Sequence, residues 1–254
     1  MSNTTRIAKN TIFLYFRQIL IMLVSLYTVR VVLNVLGAED YGIYNVVAGV
    51  VTMFSFLSVA MASASQRYFS FDLGKGDTEH LKITFSLTLT IYLIVAVIVV
   101  FLAETAGLWF VLNKLSIPAE RVTAARWIYQ FSIISFVFTI LTGPFMADII
   151  SHEDMNIYAY VSVVEVLLKL GVAISVKFFA VDKLILYGFL MLAVTIINTS
   201  IYRIICKKKY TECKYKFCWD KEYVKEMFGF TGWNLFGACV GVFKYQLVNI
   251  DYSL

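Results

Sequence analysis

Glu165 and Lys169 lie four residues apart inside the apolar run VSVVEVLLKLGVA, residues 161–173. On a helix this spacing stacks the two side chains one turn apart on one face, where they can pair. At 1.5 Å per residue Glu165 falls about 14 Å from the start of its segment, near the middle of a bilayer whose hydrocarbon is about 30 Å thick. A charge at that depth is expensive and is read as functional by default. The alternative is a self-neutralising pair that only holds helices together. For the pair both readings stay open, and depth tilts Glu165 toward function. Three guanidiniums occupy comparable positions: Arg17 and Arg30 interrupt one long apolar run, and Arg67 follows another. Arg30 and Arg67 sit near the ends of their runs, where a long side chain can snorkel to the headgroups. Arg17 lies roughly 9 Å inside its run. No catalytic cluster accompanies these charges. His80 and His152 are the only histidines, both in loops and without metal spacing. Cys206, Cys213, Cys218 and Cys239 lack zinc spacing and sequence-adjacent histidines, so they read as reduced and structurally incidental, with no metal and no cofactor.

The elements that carry these residues follow from composition. Hydrophobic residues make up 60% of the chain, charged residues 15%, and mean hydropathy is +0.77. Such a chain has lipid as its solvent, so it must form helices or a closed barrel, and apolar runs of about 20 residues favour helices. The fold class is all-α, a polytopic membrane protein. Six spans are expected, over Thr11–Leu36, Ile43–Ser65, Ile83–Ala103, Trp127–Ala147, Asn156–Phe179 and Leu184–Ile205. The first is too long and too charged for a cleaved signal peptide, and no small-residue cleavage site follows it, so it is a retained span. Gly37 should end it, with residues 38–42 as a tight acidic turn. In the second, Ala48, Thr52, Ser55 and Ala62 share a face, a pattern for close helix packing more than for lining a path. The third carries so few marks that it should face lipid along much of its length, and a loop should then reach Arg126. In the fourth, Ser132, Ser135, Thr139 and Thr142 recur at helical spacing; such hydroxyls usually bond their own backbone. Gly143-Pro144 should then kink or end that helix.

One polar segment interrupts this pattern, RIICKKKYTECKYKFCWDKEYVKE from Arg203 to Glu226. Its basic residues are Arg203, Lys207, Lys208, Lys209, Lys214, Lys216, Lys221 and Lys225, a cluster that stays on the cytoplasmic side. The net charge of +5 is concentrated here, so it concerns topology and not nucleic acid. Tyr210, Tyr215, Phe217, Trp219 and Tyr223 are interleaved, as at a headgroup surface. With the N-terminus cytoplasmic, Arg6, Lys9, Arg67, Lys75 and Lys82 join the cluster. Arg30, Lys114, Arg121, Arg126, Lys177 and Lys183 face the other side. Without the cluster the two faces nearly balance, so the orientation rests on this one segment. Three parts follow: residues 1–206 as a six-helix bundle, 207–226 as a basic cytoplasmic linker, and 227–254 as the start of a seventh span.

Four stretches carry a resemblance. TVRVVLNVLGAEDYGIYNVVAGVV (Thr28–Val51), MASASQRYFSFDLGKGD (Met61–Asp77), GPFMADIISHEDMNIYAYVSVVEVLLKLG (Gly143–Gly171) and FTGWNLFGACVGVFKYQLVNI (Phe230–Ile250) resemble polysaccharide flippases of the Wzx type. These belong to the multidrug/oligosaccharidyl-lipid/polysaccharide exporter superfamily. The resemblance covers nearly the whole chain and implies two six-helix bundles around a central cavity, a parallel-repeat plan. Where the family continues into its second bundle this sequence reads DYSL and stops, so the chain is expected to be an N-terminal fragment, half of a two-bundle transporter.

The resemblance further implies a membrane transporter, not an enzyme, that flips lipid-linked oligosaccharide (polyprenyl diphosphate-sugar) across the bacterial inner membrane, with membrane lipid as its surroundings. Cell-surface polysaccharide or lipopolysaccharide would be the product pathway. Cationic groups in a water-filled cavity would pair with the diphosphate, a task that suits arginine's planar fork, so Arg17, Arg30 and Arg67 become head-group contacts. Glu165 becomes a site for H+ or Na+ coupling, since burial raises a carboxyl pKa, and Lys169 opposes that shift. An ion-coupled multidrug or cation antiporter of the same superfamily would want more buried carboxylates than Glu165 alone. A non-transporting membrane fragment is the third reading.

Overall fold

The computed structural model describes residues 3–115 and 117–217, and beyond them only 220, 221, 223, 225, 229 and 232. The expected seventh span lies outside the described residues. Among them the chain is helical and contains no strand: α1 (Asn3–Thr52), α2 (Ser55–Lys75), α3 (Thr78–Leu102), α4 (Leu108–Asn113), α5 (Val122–Ser151), α6 (Met155–Ser175) and α7 (Lys183–Lys209). A π-helical turn, Ala103–Gly107, joins α3 to α4, and 3-10 turns precede α5 and follow α6.

Five stretches are long and apolar enough to cross a membrane: Leu14–Thr52, Thr78–Asn113, Ala119–Ser151, Met155–Phe178 and Lys183–Lys209. The first, at 39 residues, would extend about 58 Å as one helix, far more than the hydrocarbon needs. It is broken at Gly37, whose φ of 83° and ψ of 167° no other residue type adopts readily. The glycine thus ends the first helix as expected. Residues 38–42 differ from expectation: they are helical and not a turn. The second apolar segment is instead interrupted at Met53-Phe54, between α1 and α2.

Packing departs from the sequence expectation most clearly in α3. Its stretch is the most buried of the five, with 56% of its most apolar part inside the protein, whereas the arginine-bearing first stretch is the most exposed, at 6%. In lipid a leucine gains little by facing protein, so hydropathy does not separate the two environments. Small and hydroxyl residues do. Thr84, Ser86, Thr88 and Thr90 are all buried in α3, and Tyr92 bonds Ser65 of α2 at 3.1 Å. Helix 3 also continues through the π turn to Asn113, so the loop that follows is shorter than expected.

Pro144 does not end α5, which runs on to Ser151. Thr142 bonds both the Phe138 carbonyl, at 2.9 Å, and Thr199 of α7, at 2.8 Å, so neighbouring hydroxyls brace the backbone before the proline. Gly143 beside it lets Tyr92 approach to where a Cβ would stand 2.5 Å from the ring.

Part of the basic segment packs against the bundle, although its described basic residues stay exposed. Tyr210, Glu212 and Cys213 are buried against α5 and α7, in one core with Phe69, Phe85, Phe145 and Tyr202. Lys216 donates its amide to Ser86, and Tyr215 pairs with Thr90. The last helix itself carries Arg203 and Lys207–Lys209.

Candidate functional site

Two adjoining cavities, of about 650 and 420 Å³, lie between α1, α2, α5, α6 and α7. They share Ser58, Val59, Thr139, Lys169 and Thr195. The hydroxyl stripe of α5 supplies one wall. Ser132, Thr139 and Thr142 each bond a carbonyl four residues back, as expected, and the stripe also faces the cavities. The small-residue face formed by Ala48, Thr52, Ser55 and Ala62 lines them as well.

Glu165 and Lys169 both line the larger cavity and are paired, Nζ to Oε1 at 2.5 Å. Asn198 of α7 donates to the other carboxylate oxygen at 2.9 Å. The side chains keep 29% and 37% of their exposure, so the pair fronts the cavity and is not sealed in the core. Asn198 was not anticipated, although an amide within an apolar span is itself a signal of interhelical bonding.

The three arginines are not brought together at the cavity. Arg17 lies closest by contact: its guanidinium stacks over Tyr158, 4.5 Å from the ring centroid, and Tyr158 lines the larger cavity. Its Nε is buried without a hydrogen-bond partner. Arg30 and Arg67 are exposed and neither lines a cavity.

A second polar cluster closes the end of the bundle where α5 stops and α7 passes into the basic segment. Asp148 in the last turn of α5 and His152 just past its end meet Cys206 of α7 and then Glu212 and Cys213. Cys213 donates to Asp148 Oδ2 at 3.1 Å, and His152 Nε2 lies 3.1 Å from Glu212 Oε1. The His152 ring stacks on Tyr210, whose hydroxyl donates to Asp154. Burial pulls the imidazole pKa down, but the neighbouring carboxylates of Asp148 and Glu212 outweigh it and hold it at about 10. Burial likewise works to raise the Glu212 carboxyl, which His152 nevertheless holds below its ordinary value. The Cys213 thiol is pushed up by its bond to Cys206 and by burial. Cys206 and Cys213 are therefore built into a polar network, not incidental as their spacing suggested. The missed signal was Asp148, an acid within the apolar run of α5.

The sequence profile of the family described as polysaccharide biosynthesis protein matches residues 7–250. The chain belongs to that family. This bears out the resemblance to Wzx-type flippases drawn from its helix patterns. No curated protein and no solved structure matches the chain. Family membership and the five apolar helices together make it a multi-pass membrane protein of polysaccharide synthesis, in a family of transporters.

Proposed function

We propose that the chain forms the first six-span bundle of a two-bundle flippase and that the cavity is part of the path taken by a lipid-linked oligosaccharide head group. Gly37 makes the sixth span, by dividing the longest apolar stretch in two. The N-terminus and the basic linker 207–226 lie on the cytoplasmic face of the bacterial inner membrane, and residues 227–254 begin the second bundle. The observation that carries this reading is the polar cavity itself. Serine, threonine, asparagine, glutamate and lysine converge on one space in a chain otherwise made for lipid. Moving a diphosphate-sugar through hydrocarbon requires such a surface, and no bond need break.

Within the cavity Lys169 is the cation nearest a passing phosphate, and Arg17 adds charge from behind Tyr158. Arg30 and Arg67 would serve at the two ends of the path. Glu165 is the carboxylate of the cavity wall, where H+ or Na+ would couple. Lys169 already neutralises it, which favours an anionic substrate over the cationic one of a drug antiporter.

The test uses the complete two-bundle protein in proteoliposomes loaded with a fluorescent polyprenyl diphosphate-sugar. Flipping should make the sugar on the outer leaflet accessible to a lectin, and Thr139→Trp, which fills the space shared by both cavities, should slow it. Equal flipping by a correctly inserted Trp variant would remove the cavity from the path.

A further inference from the structure

We propose that Asp148, Cys206 and Cys213 form a binding site for a single zinc-class divalent ion, which staples the basic segment onto the ends of α5 and α7. Two sets of donors meet at one carboxylate. Asp148, Cys206 and Cys213 have ligand atoms within 4.8 Å of one another, and so do Asp148, His152 and Glu212. Tetrahedral zinc with bonds of about 2.0–2.3 Å needs donor separations of about 3.3–3.8 Å, so contraction of about an ångström closes the first set. His152 flanks Asp148 on the other side, its Nδ1 3.0 Å from the Asp148 carbonyl and 3.5 Å from Oδ1, with Nε2 3.1 Å from Glu212. It is the outer partner that orients the metal-binding carboxylate. Two thiolates select zinc over magnesium or calcium.

A second observation points to a missing cation. Asp148 is fully buried, and its Oδ1 accepts no hydrogen bond. Glu212, 5% exposed, has an Oε1 in the same condition despite its nearness to His152. Buried oxygens of charged groups are costly to leave without a donor. On binding, Cys206 and Cys213 each release a proton to solvent as the sulfur–metal bond forms, and Asp148 binds as the carboxylate. No electron is transferred.

The experiment takes the full chain, purified in detergent and stripped with a chelator. It titrates Zn2+ against a chromophoric competitor and Co2+ by absorbance. The expected result is about one equivalent bound, with a thiolate-to-cobalt charge-transfer band. Cys218→Ser with Cys239→Ser should leave both unchanged, whereas Cys213→Ser should abolish the band. His152→Gln, which removes no ligand, should weaken Zn2+ about 10–100-fold. Zinc affinity weaker than about micromolar, a cobalt complex without the band, or full affinity in His152→Gln would overturn the site.

Discussion

Replacing Gly107 by alanine should destabilise the bundle, and removing one oxygen elsewhere should restore it. Gly107 closes the π turn, and a Cβ built there would stand 2.1 Å from the Tyr129 hydroxyl. Tyr129 is fully buried and donates to the Ala103 carbonyl at 2.6 Å, a group on the same turn. Alanine must therefore displace a ring that has no free space, at about 1–3 kcal/mol, and orphan a buried donor and acceptor at about 1–3 more. Gly107→Ala should thus cost about 2–6 kcal/mol. Tyr129→Phe alone loses one hydrogen bond, about 0.5–1.5 kcal/mol. In the double variant the nearest atom is the ring carbon at 3.4 Å, an ordinary contact. Alanine's helix propensity then returns about 0.5–1 kcal/mol. The double variant should be more stable than Gly107→Ala and close to Tyr129→Phe. Thermal unfolding in one detergent, with all four proteins compared, measures the cycle. Additive losses would refute the argument that hydroxyl and glycine are fitted to each other.

Other perturbations address the cavity and the topology. Glu165→Gln and Lys169→Met should each destabilise by about 1–3 kcal/mol, between an exposed pair's roughly 0–1 and a sealed pair's 3–5, with the double variant milder than either. If Glu165 couples an ion, Glu165→Gln in the complete transporter keeps its abundance and loses export, and the double variant does not recover it. Arg17→Ala should lower polysaccharide export at unchanged membrane abundance, with Arg17→Lys rescuing only partly; normal export by the alanine variant returns Arg17 to a packing role on Tyr158. Single cysteines placed at Lys208 and at Asn113 should label from opposite sides of the membrane, and labelling from one side would sink the six-span topology.

How much was legible depended on which physical force wrote the signal. The apolar segments around α5, α6 and α7 were placed within a few residues, because the hydrocarbon demands a minimum run and breaks it with charge. Gly37 was legible for the same local reason: a positive φ is a backbone demand that sequence displays directly. Gly143-Pro144 reads as a kink or an end, and only the end is excluded: α5 runs on to Ser151, with the Thr142 and Thr199 hydroxyls on the Phe138 carbonyl before it. The Glu165–Lys169 pair was legible from i,i+4 spacing, and its third member, Asn198, was not, because it comes from another helix 33 residues on.

The burial of α3 and the exposure of α1 expose the deeper limit. In water, apolar character marks the side chain that goes inside. In lipid it marks nothing, since both faces are apolar, and the featureless helix proved the buried one. What organises the interior is the polar minority: Tyr92 to Ser65, Tyr129 to Ala103, Thr142 to Thr199 and Asn198 to Glu165 each tie two helical elements together. The same minority separates the two polar centres by their surroundings. At the cavity the charges keep about a third of their exposure and neutralise each other, so on the proposed reading a substrate phosphate would compete for Lys169 without unfolding anything. At the bundle end the acids are sealed, and one oxygen of each, Asp148 Oδ1 and Glu212 Oε1, lacks a donor, so any ligand there must be a small cation. Exposure, more than residue type, therefore divides a surface fit for transport from one fit for a structural ion.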